Sequence, residues 1–353
     1  MGQNSIYQGN ISWQSPSNIA LIKYWGKHGT QLPHNPSLSM SLSASSTKTT
    51  LYYKKKQRAD KNIDLTFYFE GQASEVFEKR IASYLSSILK EFPFLCDFQL
   101  RIESSNTFPH SSGIASSASA FSAMALCIMG LKGIITGSIN RDECYQQASY
   151  LARLGSGSAA RSVYGGYTIW GEVKGMETYS DLYACPVQSD IHLEFQSFND
   201  AILIVSGKNK KVGSSAGHAL MEKNPFAQAR YQQAMDHTIE MLKVLKSGNM
   251  NRFIEIVEQE ALTLHGLMMS SEPGFILMKQ ETIDIMDRIR NFRETRQIPV
   301  AFTLDAGPNV HLLYPASSRK EVLRLINEEL LHLCEKGRWI DDTIGNGPEL
   351  FNE

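Results

Sequence analysis

The apolar positions of this chain follow two periods, and the switches between them mark out its elements. Residues 18–22 form a short apolar run, as expected of a strand buried on both faces. Residues 38–42 alternate apolar residues with serine, and residues 49–53 and 64–69 carry the β-branched and aromatic residues of strands. The charge run Lys54, Lys55, Lys56 and Arg58 between them reads as a solvated hairpin tip. Over residues 75–90 the period becomes helical, with Val76, Ile81, Leu85, Ile88 and Leu89 on one face. A strand at 98–102 leads to a serine-rich loop, then to a helix ending near Gly130 and a second helix over 141–154. Residues 167–170 and 201–205 read as strands, and 224–247, 252–267 and 282–295 as helices. Strands at 300–304 and 310–314 flank a turn at 305–309, and 319–335 reads as a final helix. Strands and helices mix without a βαβ rhythm, which predicts an α+β plan of two lobes over a doubly wound sheet. The polar stretch 188–190 places the boundary between lobes of residues 1–190 and 191–353.

Composition narrows the class. A chain of 353 residues exceeds the usual size of one core. Hydrophobic content of 42% and charged content of 20% suit a globular enzyme. A net charge of −1 gives no reason to expect nucleic acid or an anionic membrane as partner. The five cysteines are scattered, with no CxxC pair, so neither zinc nor a disulfide framework is indicated. Residues 1–10 lack an apolar signal core, Ile6 breaks the myristoylation pattern, and the apolar run 123–135 contains Lys132 and is short for a bilayer span. A cytoplasmic protein is expected.

Four segments hold candidate chemistry. Residues 109–120 (PHSSGIASSASA) run small and hydroxyl-rich into an apolar helix. A helix start offers unpaired backbone N–H groups and a dipole that favours anions. Gly113 permits close backbone approach, while Ser116 and Ser117 can cap the helix or offer hydroxyls to phosphate or Mg²⁺. Capping an ordinary core helix is the plainer alternative. Residues 18–27 (NIALIKYWGK) end an apolar strand in Lys23, Tyr24, Trp25, Gly26 and Lys27: either an anion site or two surface lysines laid over aromatic rings. Residues 155–161 (GSGSAAR) combine hydroxyls, a free backbone and the Arg161 fork, which suits a phosphate or diphosphate but also a simple connector. Asp305 sits at a strand end before Gly307 and Pro308, as a general base or as ordinary turn chemistry. His265 reads as a core histidine or one supporting a site from behind.

Together these segments resemble the mevalonate diphosphate decarboxylases of the GHMP kinase superfamily. Residues 18–27 are similar to that family's NIALIKYWGK signature, residues 106–109 and 115–118 to its nucleotide loop, and 155–161 to its GSGSACR motif. Residues 301–309 resemble YTFDAGPN and 345–348 resemble GSGP, so the matches run in order from residue 18 to residue 348. The resemblance implies a GHMP kinase fold, with a ribosomal protein S5 domain 2-like first lobe and a ferredoxin-like second lobe. It implies ATP- and Mg²⁺-dependent decarboxylation of (R)-5-diphosphomevalonate to isopentenyl diphosphate, in a homodimer. The catalytic pair falls on Asp305 and Lys23. Substrate contacts fall on Tyr24, Trp25, Gly26, Lys27, Ser156, Gly157, Ser158, Ala159, Ala160, Arg161 and Ser215. Nucleotide contacts fall on Asn106, Pro109, Gly113, Ser116, Ser117 and Ala118, with Ser117 also toward Mg²⁺.

The chain departs from the pattern in places. Ala159 stands where the family has Cys, His110, Ser111 and Ser112 make the loop more polar, and His28 and Gly29 follow YWGK. The family's substrate-binding Arg near the first long helix has no clear counterpart, with Lys79 and Arg80 as candidates. Other readings are a phosphomevalonate decarboxylase, a kinase of the same superfamily such as a mevalonate kinase, or a nucleotide-binding module without activity. The kinase loop carries more glycines before its Ser-Ser pair, and the presence of Lys23, Ser117 and Asp305 together argues against a dead site.

Overall fold

Two long strands set up the first lobe. In this computed structural model, which describes residues 6–58, 60–108, 116–137, 140–207 and 213–351 apart from the side chains of residues 214 and 215, β1 (Gln8–Ala20) pairs antiparallel with β4 (Ser37–Lys55). The sequence predicts two strands, 38–42 and 49–53, where the structure has the single strand β4. Most of its small hydroxyl residues are buried, and several of their polar groups find partners inside the protein. Thr47 Oγ1 is 2.6 Å from Ser119 Oγ, and the Asp342 carboxylate accepts the Ser43, Ala44 and Ser45 amides at 2.7–2.8 Å. The register breaks between Pro16 and Asn18. Beyond that break β4 changes partner, from β7 (Phe98–Asn106) to β8 (Tyr167–Trp170), which in turn pairs with β9 (Ala184–Pro186). A small hairpin, β2 (Lys27–His28) with β3 (Leu32–Pro33), follows β1.

β5 (Asp64–Phe69) lies parallel to β7 and carries β6 (Gln72–Ala73) at the edge. β4 and β5 therefore do not pair, and the charge run is no hairpin tip: Lys54 and Lys55 end β4, and the crossover to β5 follows, where Lys56 Nζ meets Asp60 at 2.8 Å.

Helices α1 (Glu75–Ile88), α2 (Ser116–Thr136) and α3 (Arg141–Gly155) contribute to the core on this sheet. α1 buries Ile81, Tyr84, Leu85 and Ile88, whereas Val76, predicted on that face, is 79% exposed. α2 does not stop near Gly130. A Cβ at Gly130 would stand 3.0 Å from Ile11 Cγ2, so this glycine lets the helix close onto β1 and is no terminator. The whole helix is 21 residues, long and apolar enough by length to cross a bilayer, contrary to the reading of its shorter apolar run, and most of it is buried in the core.

The second sheet takes the order β11-β12-β10-β13, all antiparallel: β10 (Phe198–Leu203), β11 (Ala301–Thr303), β12 (Val310–Pro315) and β13 (Trp339–Thr343). Between β10 and β11 come α5 (Ser214–Ala219), α6 (Ala227–Ser247), α7 (Met250–Met269) and α8 (Gln280–Arg296), after the single turn α4 (Leu193–Gln196) that precedes β10. α9 (Arg319–Leu325) lies between β12 and β13. Chain order and sheet order together give the ferredoxin-like βαββαβ plan with extra helices. The predicted helix 319–335 is regular only to Leu325; a π turn (Ile326–Leu330) and a 3₁₀ turn (Leu331–Leu333) follow.

One apolar cluster joins the lobes: Ile19 and Met40 from the first pack with Phe198, Ile202 and Phe253 of the second. The chain crosses between lobes after β9, then crosses back. Ile344 bridges Leu42, and the last strand, β14 (Glu349–Phe351), pairs with β1 and so belongs to the first sheet.

Candidate active site in the cleft between the lobes

β1 ends at Ala20, and the next two residues, Leu21 and Ile22, are fully buried, their amides both bonded to the Leu38 carbonyl at 2.8 and 3.0 Å. This anchors Lys23, which is only 2% exposed. Gly26 makes the following turn with φ +104, and a Cβ there would lie 2.5 Å from the Tyr231 hydroxyl. From the other lobe, β11 delivers Asp305. Its backbone carbonyl takes the Gly307 amide at 2.7 Å to make the turn, while its carboxylate meets Lys23 Nζ at 2.9 Å.

Arg161 lies on a 3₁₀ turn (Gly157–Val163) after α3, buried to 2% exposure over the Trp170 ring. Its Nε donates to Ser39 Oγ at 3.0 Å and Nη2 to Asn18 Oδ1 at 3.4 Å, while Nη1 is buried without a partner among the described residues. Burial pulls its pKa down to about 10, opposed by Tyr24 and Asp305. A buried cation hydrogen-bonded only to neutral oxygens, with one donor left over, is the chemistry of an anion site. Tyr24 lies edge-on to Trp170, centroids 4.9 Å apart; burial pushes its hydroxyl up to about 12 against the pull of Arg161, so it is a neutral donor. Gly157 is needed here, since a Cβ would sit 2.6 Å from the Tyr24 hydroxyl.

Ser117, in the first turn of α2, places Oγ 3.1 Å from Ser156 Oγ, itself 3.4 Å from Ser158 Oγ. A line of hydroxyls thus runs from the helix N-terminus to the Arg161 segment. Lys27 donates to Gln31 at 2.9 Å, and burial lowers its pKa. These groups line one cleft of about 560 Å³. An apolar pocket opens beside it, shares Arg80 and Ser117 with it, and is walled by Phe67, Phe69, Phe77 and Phe121. Asn106 lines this pocket with its Nδ2 buried and unpartnered among the described residues.

The other sequence candidates fall in several places. Trp25 lines the cleft but is mostly buried with Met221, Leu264 and Ala306 beneath it. Ser116 lines the apolar pocket. Ala118 is fully buried in α2, and Ala159 and Ala160 are fully buried among core residues and do not line the cleft. Pro109, Gly113 and the side chain of Ser215 lie outside the described residues.

Of the two α1 cations, Lys79 is 82% exposed, whereas Arg80 covers the Phe121 ring at 5.2 Å and reaches the cleft.

Several residues escaped the sequence reading. His218 stacks at 4.4 Å on both Tyr24 and Trp25 and lines the cleft. Its Nδ1 accepts the Gly26 amide at 2.9 Å, and burial, then Lys27, pulls its pKa down to about 3. It is therefore a neutral imidazole with its proton on Nε2. Its only sequence signal is a lone His five residues after Gly213, too weak to single out.

Comparison with known proteins identifies the arrangement. The diphosphomevalonate decarboxylase-like N-terminal domain matches residues 15–183, and the mevalonate 5-diphosphate decarboxylase C-terminal domain matches residues 201–343. The chain belongs to the diphosphomevalonate decarboxylase family. The diphosphomevalonate decarboxylase of Candida albicans is 26% identical over 99% of both chains, and that of Ganoderma lucidum 28% identical over 91% of this chain and 82% of its own. The crystal structure of mevalonate diphosphate decarboxylase from Staphylococcus aureus is 28% identical with a TM-score of 0.82, covering 98% of each chain. MDDEF in complex with MVAPP, AMPPCP and magnesium also superposes with a TM-score of 0.82, at 27% identity over 98% of this chain and 100% of its own. The two matched decarboxylase domains meet at the cleft. Lys23, Ser117 and Arg161 come from the first, and Asp305 and His218 from the second.

Proposed function

We propose that this chain converts (R)-5-diphosphomevalonate and ATP to isopentenyl diphosphate, ADP, phosphate and CO₂. The observation that carries this reading is the Lys23–Asp305 pair at 2.9 Å, set in a cleft between the Arg161 segment and the N-terminus of α2. Arg161, Ser156, Ser158, Lys27 and the Tyr24 hydroxyl offer enough donors for a diphosphate. Anchored there, the substrate presents its 3-hydroxyl to Asp305. Asp305 orients that hydroxyl and takes its proton, and Lys23 favours the ionised carboxylate.

Ser117, the α2 N-terminus and Arg80 suit the nucleotide phosphates, and the apolar pocket with the unpartnered Asn106 amide suits the base. No group of three or more His, Cys, Asp or Glu side chains could hold a metal among the described residues. Mg²⁺ would therefore be held by phosphate oxygens with the Ser117 hydroxyl. When bound, ATP with Mg²⁺ supplies the phosphoryl group that makes the tertiary 3-hydroxyl a leaving group. As the 3-phosphate departs, positive charge develops on the tertiary carbon; the carboxylate leaves as CO₂, and its bonding electrons form the alkene.

The test incubates the protein with ATP, Mg²⁺ and, separately, mevalonate, 5-phosphomevalonate and 5-diphosphomevalonate, measuring ADP and CO₂. Both products are expected, most strongly with the diphosphate. ADP without CO₂ would make the protein a kinase, and better turnover of the monophosphate would overturn the substrate assignment. A homodimer working in the cytoplasm, away from membranes, is part of the same proposal. It rests on the family resemblance and the near-neutral charge; sedimentation and cell fractionation test it.

A further inference from the structure

The Lys23–Asp305 pair joins two lobes, so something must hold both partners in line. Helix α7 touches both. It starts from an Asn249 cap, whose side chain accepts the Arg252 amide at 3.2 Å, and packs Val257, Ala261 and Leu264 inward. Glu260, fully buried, accepts the Lys23 amide at 2.8 Å. Arg230 of α6 grips both Glu260 oxygens and donates from Nη2 to the Lys23 carbonyl at 2.7 Å. His237 Nδ1 lies 2.7 Å from the remaining side of Glu260. The N–H and the C=O of Lys23 are thus both held by one carboxylate–guanidinium unit of the opposite lobe. Five residues further along, His265 Nε2 lies 3.0 Å from the Asp305 carbonyl. A carbonyl only accepts, so this nitrogen carries the proton and donates. Five residues of α-helix span about 7.5 Å of rigid rod.

Burial pushes the Glu260 carboxyl up, but Arg230, His237 and the Lys23 amide outweigh it and hold it below the usual range. Glu260 is therefore ionised, and with Arg230 it forms an ion pair buried inside the protein.

We infer that α7 is the alignment bar of the active site: Glu260, held by Arg230, fixes the backbone of Lys23, and His265 fixes the backbone of Asp305. All three are positioning residues. This inference rests on the reading that Lys23 and Asp305 act on the substrate. It differs from a stabilising role, which would cost folded protein but leave each folded molecule as active as before.

The test uses the full chain as wild type, Arg230→Lys, His265→Leu and His265→Gln. It reads kcat and both KM values with ATP, Mg²⁺ and 5-diphosphomevalonate, the thermal melt, and hydrogen exchange at the Lys23 amide without substrate. Arg230→Lys keeps a cation on Glu260 but gives up the fork that also reaches the Lys23 carbonyl. Its kcat is expected to fall about tenfold or more, with KM values within about threefold and faster exchange at Lys23, because small misplacements of reacting groups cost rate. His265→Leu is expected to lose kcat similarly with Lys23 exchange unchanged. His265→Gln, whose amide can donate to the same carbonyl, should recover most of it. Activity that falls only in step with the folded fraction, or equal behaviour of the two position-265 variants, would overturn the inference. If the wild type releases no CO₂, the functional reading fails on its own, while the Lys23 exchange comparison still decides whether the clamp exists.

Discussion

Arg230 and Arg161 lie equally deep, each 2% exposed. Arg230 is bonded to a fully buried carboxylate and to a backbone carbonyl, so its charge is spent within the scaffold. Arg161 is bonded only to Ser39 Oγ and Asn18 Oδ1, and one of its terminal nitrogens has no partner among the described residues. Desolvating a guanidinium is costly in either place. In the Arg230 region the protein supplies the compensating anion; in the Arg161 region the cleft is open for a ligand to supply it. A buried cation's hydrogen-bond partners, more than its depth, tell scaffold from site.

The strongest way to break this comparison is at Asp305, where the two regions meet. Asp305→Asn keeps shape and turn chemistry but removes the base, so kcat should fall by roughly 10²–10⁴-fold with the melting temperature nearly unchanged. Near-normal turnover would leave Asp305 as turn chemistry only. Next comes the pair of arginines themselves. Arg230→Met leaves the buried Glu260 charged and without its guanidinium and should cost about 3–5 kcal/mol of stability, read by denaturant unfolding. Arg161→Met should keep or raise stability but weaken binding of the diphosphate substrate by about 1.5–3 kcal/mol, read by calorimetry. Similar stability losses in both would erase the distinction drawn here.

A finer division lies along the cleft. Ser117→Ala should weaken nucleotide-dependent turnover by about 0.5–1.5 kcal/mol and leave diphosphomevalonate binding unchanged. An equal effect on both ligands would mean that the hydroxyl line from Ser117 to Ser158 works as one unit. At neutral pH the smallest effect belongs to His218→Gln, since Gln can still accept the Gly26 amide. The consequence appears in acid. The folded pKa of His218 is depressed from 6.5 to about 3, so the stability tied to its neutral form is complete above pH 6.5 and is lost as pH falls toward 3. The variant should lose stability less steeply across that window, by up to about 1.4 kcal/mol per pH unit. Identical acid-denaturation curves would show that the imidazole is not held neutral by the fold.

The sequence pointed to four residues that the fold brings to one cleft. Lys23, Asp305, Ser117 and Arg161 each stand at an element end beside small or turn-forming residues, and the strand-to-helix alternation indicated an α+β plan of two lobes. It did not reveal features that depend on a distant partner. Glu260 bonds Lys23 across 237 positions and Arg230 bonds it across 207, so no local pattern joins them. β4 did not read as one strand because the partners of its hydroxyl residues lie far along the chain: Ser119 for Thr47 and the carbonyl of Gly345 for Ser41. Gly130 looked like a helix end because Ile11, the side chain it admits, is on another element. Lys79 and Arg80 were indistinguishable by type and were separated only by helical phase.

The short return strand β14 has a consequence of its own. The lobes are connected in sequence both between β9 and β10 and between β13 and β14, and the second connection lies against β1 with Phe351 opposite Ser12. The fold is thus closed on itself like a ring, with each half contributing a piece of the other's framework. A protease nick between β9 and α4 would cut one tie and leave the other, along with the apolar cluster shared by Met40 and Ile202. Fragments 1–190 and 191–353 would then behave as complementary halves, held together by the last strand until the chain is unfolded.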